Sequence, residues 1–445
     1  MSAPQKILIV GGGFTGLTAA YKLSQEPDFS VTLVEGSDHL GGLAAGFPLL
    51  GTTLEKAYHH IFLTDADILK LVEELDLTGK LIWCESSVGI YRDGSVYPFM
   101  SPLDLLRFKP CSLPGRLRFG LIALYLQKKK NWRGFVTQTA NEWLARACGD
   151  DVMRTIWTPL LKGKFDRYWN SVSMSWLWAR IHTRANSRPP GGGREKLGYF
   201  RGGFAEIIGK LESELSRRKV RILTGKAVEQ LTFGTGRQAL LADGHAVGFD
   251  LCLFTGSSTE FARLLPAGVV PDDYRRKLES IAYLGAICLV FVTDQSIADQ
   301  YWLNIHEDGA PFLLFIQHTR LVGTEMYRGR HVYYIGSYQP QDSALFGMSD
   351  DALTGKWFEY LQRICPQFEP ARVCERHVFK FKAAQHVVDT RYEEKIPDYR
   401  TPVPGVYLAN FSQIFPEDRG TNFAVREGIK VAGMISRELS GKAPG

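Results

Sequence analysis

The feature that most constrains the fold is a glycine-rich hexapeptide, residues 11–16, that directly follows an aliphatic run near the amino terminus. This run, Lys6–Val10, predicts a buried strand. A helix is predicted over Leu17–Leu23, and Val31–Val34 predicts a second buried strand. Strand, tight glycine turn, helix and strand in this order make a βαβ unit, which indicates the α/β class.

The hexapeptide has the GxGxxG pattern, and each glycine has its own task. Gly11 permits the turn, Gly13 lets the backbone approach a pyrophosphate, and Gly16 lets helix and strand pack closely. The helix N-terminus then presents free N–H groups and a positive dipole to the phosphates. Glu35, at the end of the next strand, is placed to accept hydrogen bonds from ribose hydroxyls and disfavours a 2′-phosphate. The motif predicts an adenine dinucleotide site but leaves FAD and NAD open; the alternative is a glycine turn that binds nothing.

A second glycine pair, Gly41–Gly42, lies within the segment Asp38–Ala44 and allows another close approach of backbone to ligand. This segment resembles the extended flavin signature of a large superfamily that includes the amine oxidases, protoporphyrinogen oxidase, the carotenoid desaturases and UDP-galactopyranose mutase. The likeness covers essentially the whole chain. Tyr199–Phe204 resembles the glycine turn that opens the second helix of the FAD domain, and Ala227–Glu229 resembles the strand that contacts adenine. The resemblance implies FAD as the cofactor.

The end of the chain completes this likeness. Val406–Asn410 and Pro416–Gly428 resemble the closing element of the superfamily, where a turn meets the ribityl chain and a helix N-terminus points at the pyrimidine edge of the flavin. Reduced flavin carries negative charge at that edge, which a helix N-terminus stabilises. One departure is that Ala409–Asn410 replaces the strand-Gly-Asp ending of the superfamily. The cofactor-binding residues that these motifs imply are Gly11, Gly13, Phe14, Thr15, Gly16, Glu35, Gly36, Gly42, Leu43, Val228, Asn410, Arg419, Gly420, Thr421 and Asn422.

Two adjacent histidines lie in the segment 55–65, which resembles the GPHIFHT segment beside the isoalloxazine ring of UDP-galactopyranose mutases. Leu63 stands where the mutases carry their second histidine. His60 is therefore the candidate for a polar contact with flavin or substrate, and a structural histidine is the alternative. His59 is predicted to be structural.

A second group of candidates lies in Trp157–Phe165 and the segment after it. Trp176 and Trp178 form either an aromatic cage over a ring-shaped substrate or ordinary core packing. Lys164 and Arg180 favour a functional interpretation, because an unpaired charge is expensive to bury.

Glu417–Arg419 is a charge triplet at the turn before the last helix. A local ion pair is one interpretation, and a substrate clamp against the flavin is the other. The position directly before the flavin-facing helix favours the clamp. The catalytic candidates are His60, Lys164, Arg180 and Asp418, in orienting or proton-handling roles.

These assignments predict two domains in an α/β protein. One is a discontinuous Rossmann-type FAD-binding domain of the GR2-like kind, and the other is an α+β substrate domain with a helical part. The FAD-binding domain is predicted over 1–85, 196–280 and 396–445, and the substrate domain over 86–195 and 281–395. Three glycines at 191–193 predict a flexible joint.

Composition restricts the partners. The chain of 445 residues has 53 Lys and Arg and 47 Asp and Glu, spread along its length, so no nucleic-acid surface is predicted. Seven scattered cysteines without a CxxC pair argue against a metal site or a disulfide framework and favour a reducing cytosol. Nothing at the amino terminus is typical of a signal peptide. We expect a cytoplasmic protein that acts on a small molecule.

Residues 116–130 have two interpretations. An apolar helix is flanked by Arg116 and Arg118 on one side and Lys128–Lys130 on the other. Such a segment either docks on anionic lipid at the inner membrane face and admits a lipophilic substrate, or forms a solvated helix end.

Three function classes remain open from the sequence. The first is an FAD-dependent oxidoreductase of the amine oxidase or protoporphyrinogen oxidase type, which passes a hydride from a sizeable ring or lipophilic substrate to flavin N5. The second is a non-redox mutase resembling UDP-galactopyranose mutase, which acts on a nucleotide-sugar. The third keeps the flavin as a structural or regulatory ligand.

Overall fold

Strands and helices alternate along the chain in the computed structural model, which describes residues 3–188, 194–234 and 236–439. The strands are β1 (Gln5–Val10), β2 (Phe29–Val34), β3 (Gly46–Leu49), β4 (Thr52–Glu55), β5 (Ile61–Phe62), β6 (Leu81–Glu85), β7 (Val88–Arg92), β8 (Ser95–Pro98), β9 (Lys196–Phe200), β10 (Arg221–Leu223), β11 (Val228–Phe233), β12 (Arg237–Leu241), β13 (Ala246–Gly248), β14 (Leu251–Phe254), β15 (Tyr283–Thr293), β16 (Trp302–Ile305), β17 (Leu314–Gln317), β18 (His331–Pro340), β19 (Val373–His386) and β20 (Val406–Leu408). The predicted joint at 191–193 lies outside the described residues.

The helices surround these strands on several sides. They are α1 (Phe14–Leu23), α2 (Ala66–Glu74), α3 (Pro102–Arg107), α4 (Leu113–Lys128), α5 (Ala140–Cys148), α6 (Asp150–Val152), α7 (Thr158–Phe165), α8 (Met174–Asn186), α9 (Ala205–Arg217), α10 (Ser258–Leu264), α11 (Asp272–Glu279), α12 (Thr319–Val322), α13 (Asp350–Ile364), α14 (Tyr392–Lys395) and α15 (Thr421–Leu439). Among the described helices, none combines the length and the apolarity that a membrane span requires.

A parallel sheet of five strands in the order β10-β2-β1-β14-β20 carries the glycine motif. Its strands β1, β14 and β20 are short aliphatic runs buried on both faces, as helix-covered parallel strands must be, whereas the edge strand β10 is partly exposed; Ile9 and Leu33 are fully buried. Helices α1, α9 and α15 pack on one face through Leu17, Leu211 and Val431. Because the strands are parallel, their carboxyl ends share one edge, and the β1–α1 turn lies there. The predicted Rossmann-type α/β fold is confirmed.

A seven-stranded sheet in the order β19-β15-β18-β17-β16-β7-β8 forms the second layer. Strand side chains alternate between its faces. Ile287 and Phe291 of β15 pack in the core that α13 covers, whereas Ala286 and Cys288 line a cavity on the other side. The strands of this sheet come from segments assigned to the substrate domain, and those of the parallel sheet come from segments assigned to the FAD-binding domain. The domain boundaries themselves stay a prediction.

A helical layer built from α3 to α8 closes the third side. Its core includes Phe108, Leu144, Phe165 and Trp176, all almost completely buried. Helix α8 runs through this layer and carries cationic side chains to the cavity wall. The cavity therefore lies between both sheets and the helical layer.

Glu55 at the end of β4 is hydrogen-bonded to β9 and to the residue before α9. Its buried carboxylate accepts hydrogen bonds from Tyr199 Oη at 2.7 Å and from Phe204 N at 2.5 Å. Burial raises the pKa of Glu55 from 4.5 to about 7, against the opposing effect of these two donors. Glu55 therefore binds its proton more tightly in the folded state than in the unfolded state.

This linkage predicts a pH dependence of stability. Below pH 4.5 Glu55 is protonated in both states; between pH 4.5 and 7 unfolding releases its proton, so its contribution to stability falls as pH rises. We expect Glu55→Gln to remove that fall, which amounts to about 3 kcal/mol at most. Unfolding by urea at several pH values measures it, with exposed Glu229→Gln as the control. If the free energies of unfolding of wild type and Glu55→Gln differ by the same amount at every pH from 4.5 to 7, the raised pKa of Glu55 is contradicted.

Candidate active site

The glycine motif forms the tight turn that its sequence predicts. Gly11 has a φ of +109°, a region that L side chains rarely adopt, and a Cβ at Gly11 would lie 2.3 Å from Thr255 Oγ1. A Cβ at Gly16 would lie 1.9 Å from the carbonyl oxygen of Gly11. The turn and the tight contact between helix and strand therefore both require glycine.

Gly13 and Gly42 pack closely together, since a Cβ on Gly42 would lie 3.1 Å from the Cα of Gly13, and they form one wall of a space that we call the cradle. A Cβ on Gly13 would approach only the Cα of Gly42, at 3.8 Å, so no protein atom fills the space beside it. Gly13 also caps α1, and among the described residues no capping side chain accepts from the first-turn N–H groups. Phe14 and Thr15 belong to that first turn; the Phe14 ring packs edge-on to Phe204, so it is the backbone that faces the cradle. These features fit a diphosphate.

Glu35 holds the loop beside the cradle. Its carboxylate accepts from Gly12 N at 2.6 Å and from Ser37 N at 2.8 Å, which leaves lone pairs for ribose hydroxyls. The next residue, Gly36, lies against Ala227, whose Cα would be 3.6 Å from a Gly36 Cβ. Val228 follows at the start of β11 and is buried. The predicted ribose and adenine contacts therefore lie at one end of the cradle.

A cavity collects the remaining candidates at the other end. It lies between the turn before α15, the segment 57–62, helix α8 and the cavity-facing side of the seven-stranded sheet. Of the residues predicted from sequence it is lined by His60, Lys164, Arg180, Asp418, Leu43, Arg419, Gly420, Thr421 and Asn422.

Asp418 is the centre of a hydrogen-bonded cluster. Its Oδ2 accepts from Lys164 Nζ at 3.0 Å and from Arg180 Nη1 at 2.7 Å. Its Oδ1 accepts from Trp176 Nε1, from Gln385 Nε2 and from the N–H of the next residue, each at 3.1 Å. Asp418 therefore forms ion pairs with Lys164 and Arg180, which are distant in sequence, and not the local ion pair that is one interpretation of the charge triplet.

The charges of this cluster do not cancel. Although burial raises it, the pKa of Asp418 is held well below its usual range by Lys164, Arg180 and Arg419. Burial lowers the pKa of Lys164, whose side chain is only 6% exposed, against the attraction of Asp418. Three cations around one carboxylate leave this wall of the cavity positive.

Tyrosine hydroxyl groups extend the cluster across the cavity. Arg419 Nη2 donates to Tyr338 Oη at 3.1 Å, and Tyr338 Oη lies 3.4 Å from Tyr58 Oη. In the described part of the chain, Arg419 Nε and Gln385 Oε1 are buried without a hydrogen-bond partner. Because buried polar atoms are seldom left unpaired, these two fit a polar ligand in the cavity.

His60 lies on the opposite wall. Its Nδ1 is 3.3 Å from Tyr301 Oη, and burial lowers its pKa to about 3, so the ring is neutral at ordinary pH. Arg184, paired with Glu195 at 3.0 Å, lowers the pKa further. A neutral imidazole can donate one hydrogen bond and accept another. His59 also lines the cavity, but its Nδ1 lies 2.7 Å from the carbonyl oxygen of Ala57, a contact typical of a structural histidine.

For three predictions the structure shows a different arrangement of the side chains. The Asn410 amide is buried and engaged with Gly256 and Ser412, so the structure does not bring it to the cavity. Asn422 lines the cavity, but its Oδ1 caps α2 by accepting from the N–H of Asp67 at 2.9 Å. A Trp176–Trp178 cage is wrong, because residues two apart on a helix point about 200° apart.

Those two tryptophans accordingly face different surroundings. Trp176 lies under Lys164, with the ammonium 5.0 Å from its ring, whereas Trp178 stacks on His182 and donates to the carbonyl of Lys129. The core-packing interpretation therefore holds for Trp178.

Several residues that line the cavity were not predicted from the sequence. Arg184 follows Arg180 by one helical turn, a spacing that a helix assignment for 174–186 would have revealed. Tyr58 lies two residues before His60 and carried no signal of its own. Tyr338 and Gln385 come from long strands distant in sequence, and only the paired register of β15 with β18 and β19 brings them together.

Comparison with known sequences shows the family of the chain. The family model described as flavin containing amine oxidoreductase matches residues 14–434. The 4,4′-diapolycopen-4-al dehydrogenase of Metabacillus indicus is 26% identical over 304 residues, which make up 60% of this chain and 58% of that protein. The match thus spans little more than half of that relative.

Solved structures share the architecture over nearly the full length. A protein assigned as a protoporphyrinogen oxidase from Exiguobacterium sp. 255-15 has a TM-score of 0.78 at 19% identity, covering 98% of this chain and 100% of that chain. Reduced UDP-galactopyranose mutase has a TM-score of 0.74 at 14% identity, covering 97% and 95%. Cyclohexylamine oxidase from Brevibacterium oxydans IH-35A has a TM-score of 0.68 at 17% identity, covering 98% and 100%. At these identities the likeness shows the fold.

Proposed function

The chain belongs to the family of flavin-containing amine oxidoreductases, and from that premise we propose that it oxidises a sizeable ring or lipophilic substrate. The cofactor is FAD. When bound, FAD supplies the hydride acceptor, and the protein supplies binding, orientation and electrostatics. One observation carries the proposal: a single cavity is lined both by the turn before α15 and by the seven-stranded sheet.

The residues of the cavity have separable tasks in this proposal. The cradle at Gly13 and Gly42 holds the diphosphate, and Glu35 holds the ribose. Lys164 and Arg419 stabilise negative charge that develops on the cofactor or substrate, because they act inside a protein where charge is poorly screened.

The opposite wall orients the substrate and keeps water out. Neutral His60 offers a hydrogen bond without adding a charge. Tyr58 packs edge-on to Trp302, with ring centres 4.9 Å apart, and gives the cavity an apolar side. Cys288 also lines it, but burial raises the pKa of its thiol to about 12, so it does not serve as a thiolate nucleophile.

A second candidate function is a nucleotide-sugar mutase. It is favoured by the positive wall, since Lys164, Arg180 and Arg419 suit a phosphorylated substrate. It is disfavoured by Leu63, which stands in place of a second histidine.

Anaerobic mixing separates the two functions. We expect a ring or lipophilic substrate to bleach the visible flavin absorption of the holoenzyme without any added reductant, since hydride moves to the cofactor. The flavin should regain colour when air is admitted. The proposal is overturned if no such substrate bleaches the flavin and a nucleotide-sugar turns over only after dithionite reduction.

A further inference from the structure

The exposed apolar side chains of the protein are confined to one region. In residues 3–188, 194–234 and 236–439, every large hydrophobic side chain that is substantially exposed lies between positions 96 and 125. Leu117 is 53% exposed and Leu121 is 69% exposed. The set is Val96, Leu103, Leu106, Leu113, Leu117, Leu121, Leu124 and Tyr125. Monomeric soluble proteins rarely leave such residues contiguous, and a contiguous apolar patch marks an interaction site.

Helix α4 supplies most of this patch and is apolar on two sides. Leu113, Leu117, Leu121 and Leu124 follow one another by four, four and three positions, which aligns them along one stripe. Ile122 and Leu126, between or beyond them, pack into the helical-layer core instead. A helix that needed only one covered face would carry polar residues on the other.

Positive charge surrounds the patch. Residues 96–133 contain eight Lys and Arg and one acidic residue, Asp104. In the described part of the chain, only Arg133 of these eight pairs with a carboxylate within 4.0 Å, that of Glu393 at 3.7 Å. Arg116 and Arg118 donate hydrogen bonds to backbone carbonyl oxygens rather than to carboxylates. The patch therefore combines apolar surface with uncompensated cations.

We propose that α3 and α4, with the basic segment Lys128–Lys130, form a docking face for an anionic lipid surface. Leucines enter the boundary between headgroups and acyl chains, while lysines and arginines stay among the anionic headgroups. Each cation near such a surface strengthens the binding. A second copy of the chain fits less well, because a symmetric contact would place these cations against one another.

The position of the face connects it to the cavity. Helix α4 packs beside α8, with Gln127 Nε2 donating to the carbonyl of Ala185 at 3.3 Å. Helix α8 carries Arg180 and Arg184, which line the cavity. A bound membrane therefore lies one helix layer from the site, where a lipophilic substrate can enter. Docking itself does not depend on the reaction proposed above.

Vesicle sedimentation tests the docking face with the FAD-loaded protein. We expect wild type to sediment with vesicles of phosphatidylglycerol and phosphatidylcholine in equal amounts, and not with phosphatidylcholine alone. Leu117→Gln with Leu121→Gln should lower the fraction bound at least tenfold, because both side chains are already exposed and the fold does not need them. Flavin absorbance and unfolding temperature of this variant should match wild type.

Charge variants supply the matched control. Lys128→Gln with Lys130→Gln should weaken binding to anionic vesicles, whereas Lys196→Gln with Lys356→Gln removes the same charge from exposed positions elsewhere and should not. Equal loss in both variants, or no sedimentation of wild type on anionic vesicles, overturns the proposal. So does a wild-type dimer that Leu117→Gln with Leu121→Gln converts to a monomer while vesicle binding is absent.

Discussion

Replacing Gly13 with valine is expected to abolish FAD binding while the fold stays intact. A Cβ at Gly13 meets no protein atom closer than 3.8 Å, and the φ of −74° suits any residue. The larger side chain would instead occupy the cradle that the diphosphate needs. We expect the dissociation constant of FAD to rise at least a hundredfold, roughly 2.7 kcal/mol. Flavin absorbance of the purified variant, followed by titration of the apoprotein with FAD, measures the change.

Gly209→Ala is the matched control, because a Cβ there meets nothing within 4 Å and Gly209 lies on α9, away from the cradle. This control should retain flavin. Gly16→Val, by contrast, should fail to fold, since a Cβ there would lie 1.9 Å from a carbonyl oxygen. Retention of FAD at wild-type affinity by a folded Gly13→Val protein contradicts the assignment of the cradle.

Replacing Asp418 with asparagine is expected to destabilise the folded protein strongly. Asparagine keeps an oxygen for Trp176 and Gln385 but leaves Lys164 and Arg180 without their carboxylate. Removing one partner of a buried ion pair typically costs about 3–5 kcal/mol, because the remaining charge stays buried and unpaired. Urea unfolding of the holoenzyme measures the loss, and flavin reduction by substrate should slow in parallel.

A double variant and a surface variant make this prediction specific. Lys164→Met combined with Asp418→Asn removes both charges of the most buried pair and should recover much of the stability that Asp418→Asn alone loses. Asp342→Asn breaks an exposed pair with Arg167 and should leave the unfolding temperature almost unchanged. If the double variant is no more stable than Asp418→Asn, the unpaired charge of Lys164 is not the cause of the lost stability.

The sequence predicts the parallel sheet and its ligand loop because both depend on local chemistry. Lys6–Val10 forms β1 with one added residue, and the helix predicted from Leu17 begins at Phe14, directly after Gly13. The difference of three residues arises because the glycines at 11–13 take the turn and later motif residues are already helical. The helix expected within Pro416–Gly428 likewise begins at Thr421 and forms α15.

In the candidate site too, the residues could be predicted from local sequence, but their tertiary contacts could not. Local sequence context predicts His60, Lys164, Arg180 and Asp418, and the structure brings all four to one cavity. That Asp418 binds both cations is a tertiary fact, since Lys164 is 254 residues away in the chain.

The partners on the strands could not be predicted for a related reason. Tyr338 and Gln385 reach the cavity through the long antiparallel pairing of β15 with its neighbours, which periodicity alone does not specify. Asn410 stays a predicted ligand contact, although its amide caps a local turn, which its position after a strand does not reveal.

A crystal structure of the protein with FAD bound tests the central claim most directly. The account predicts density for the diphosphate beside Gly13 and Gly42, the ribose beside Glu35, and the ring system in the cavity that Asp418 and His60 line. A ring system located outside that cavity, or a diphosphate held away from the glycine cradle, would contradict it.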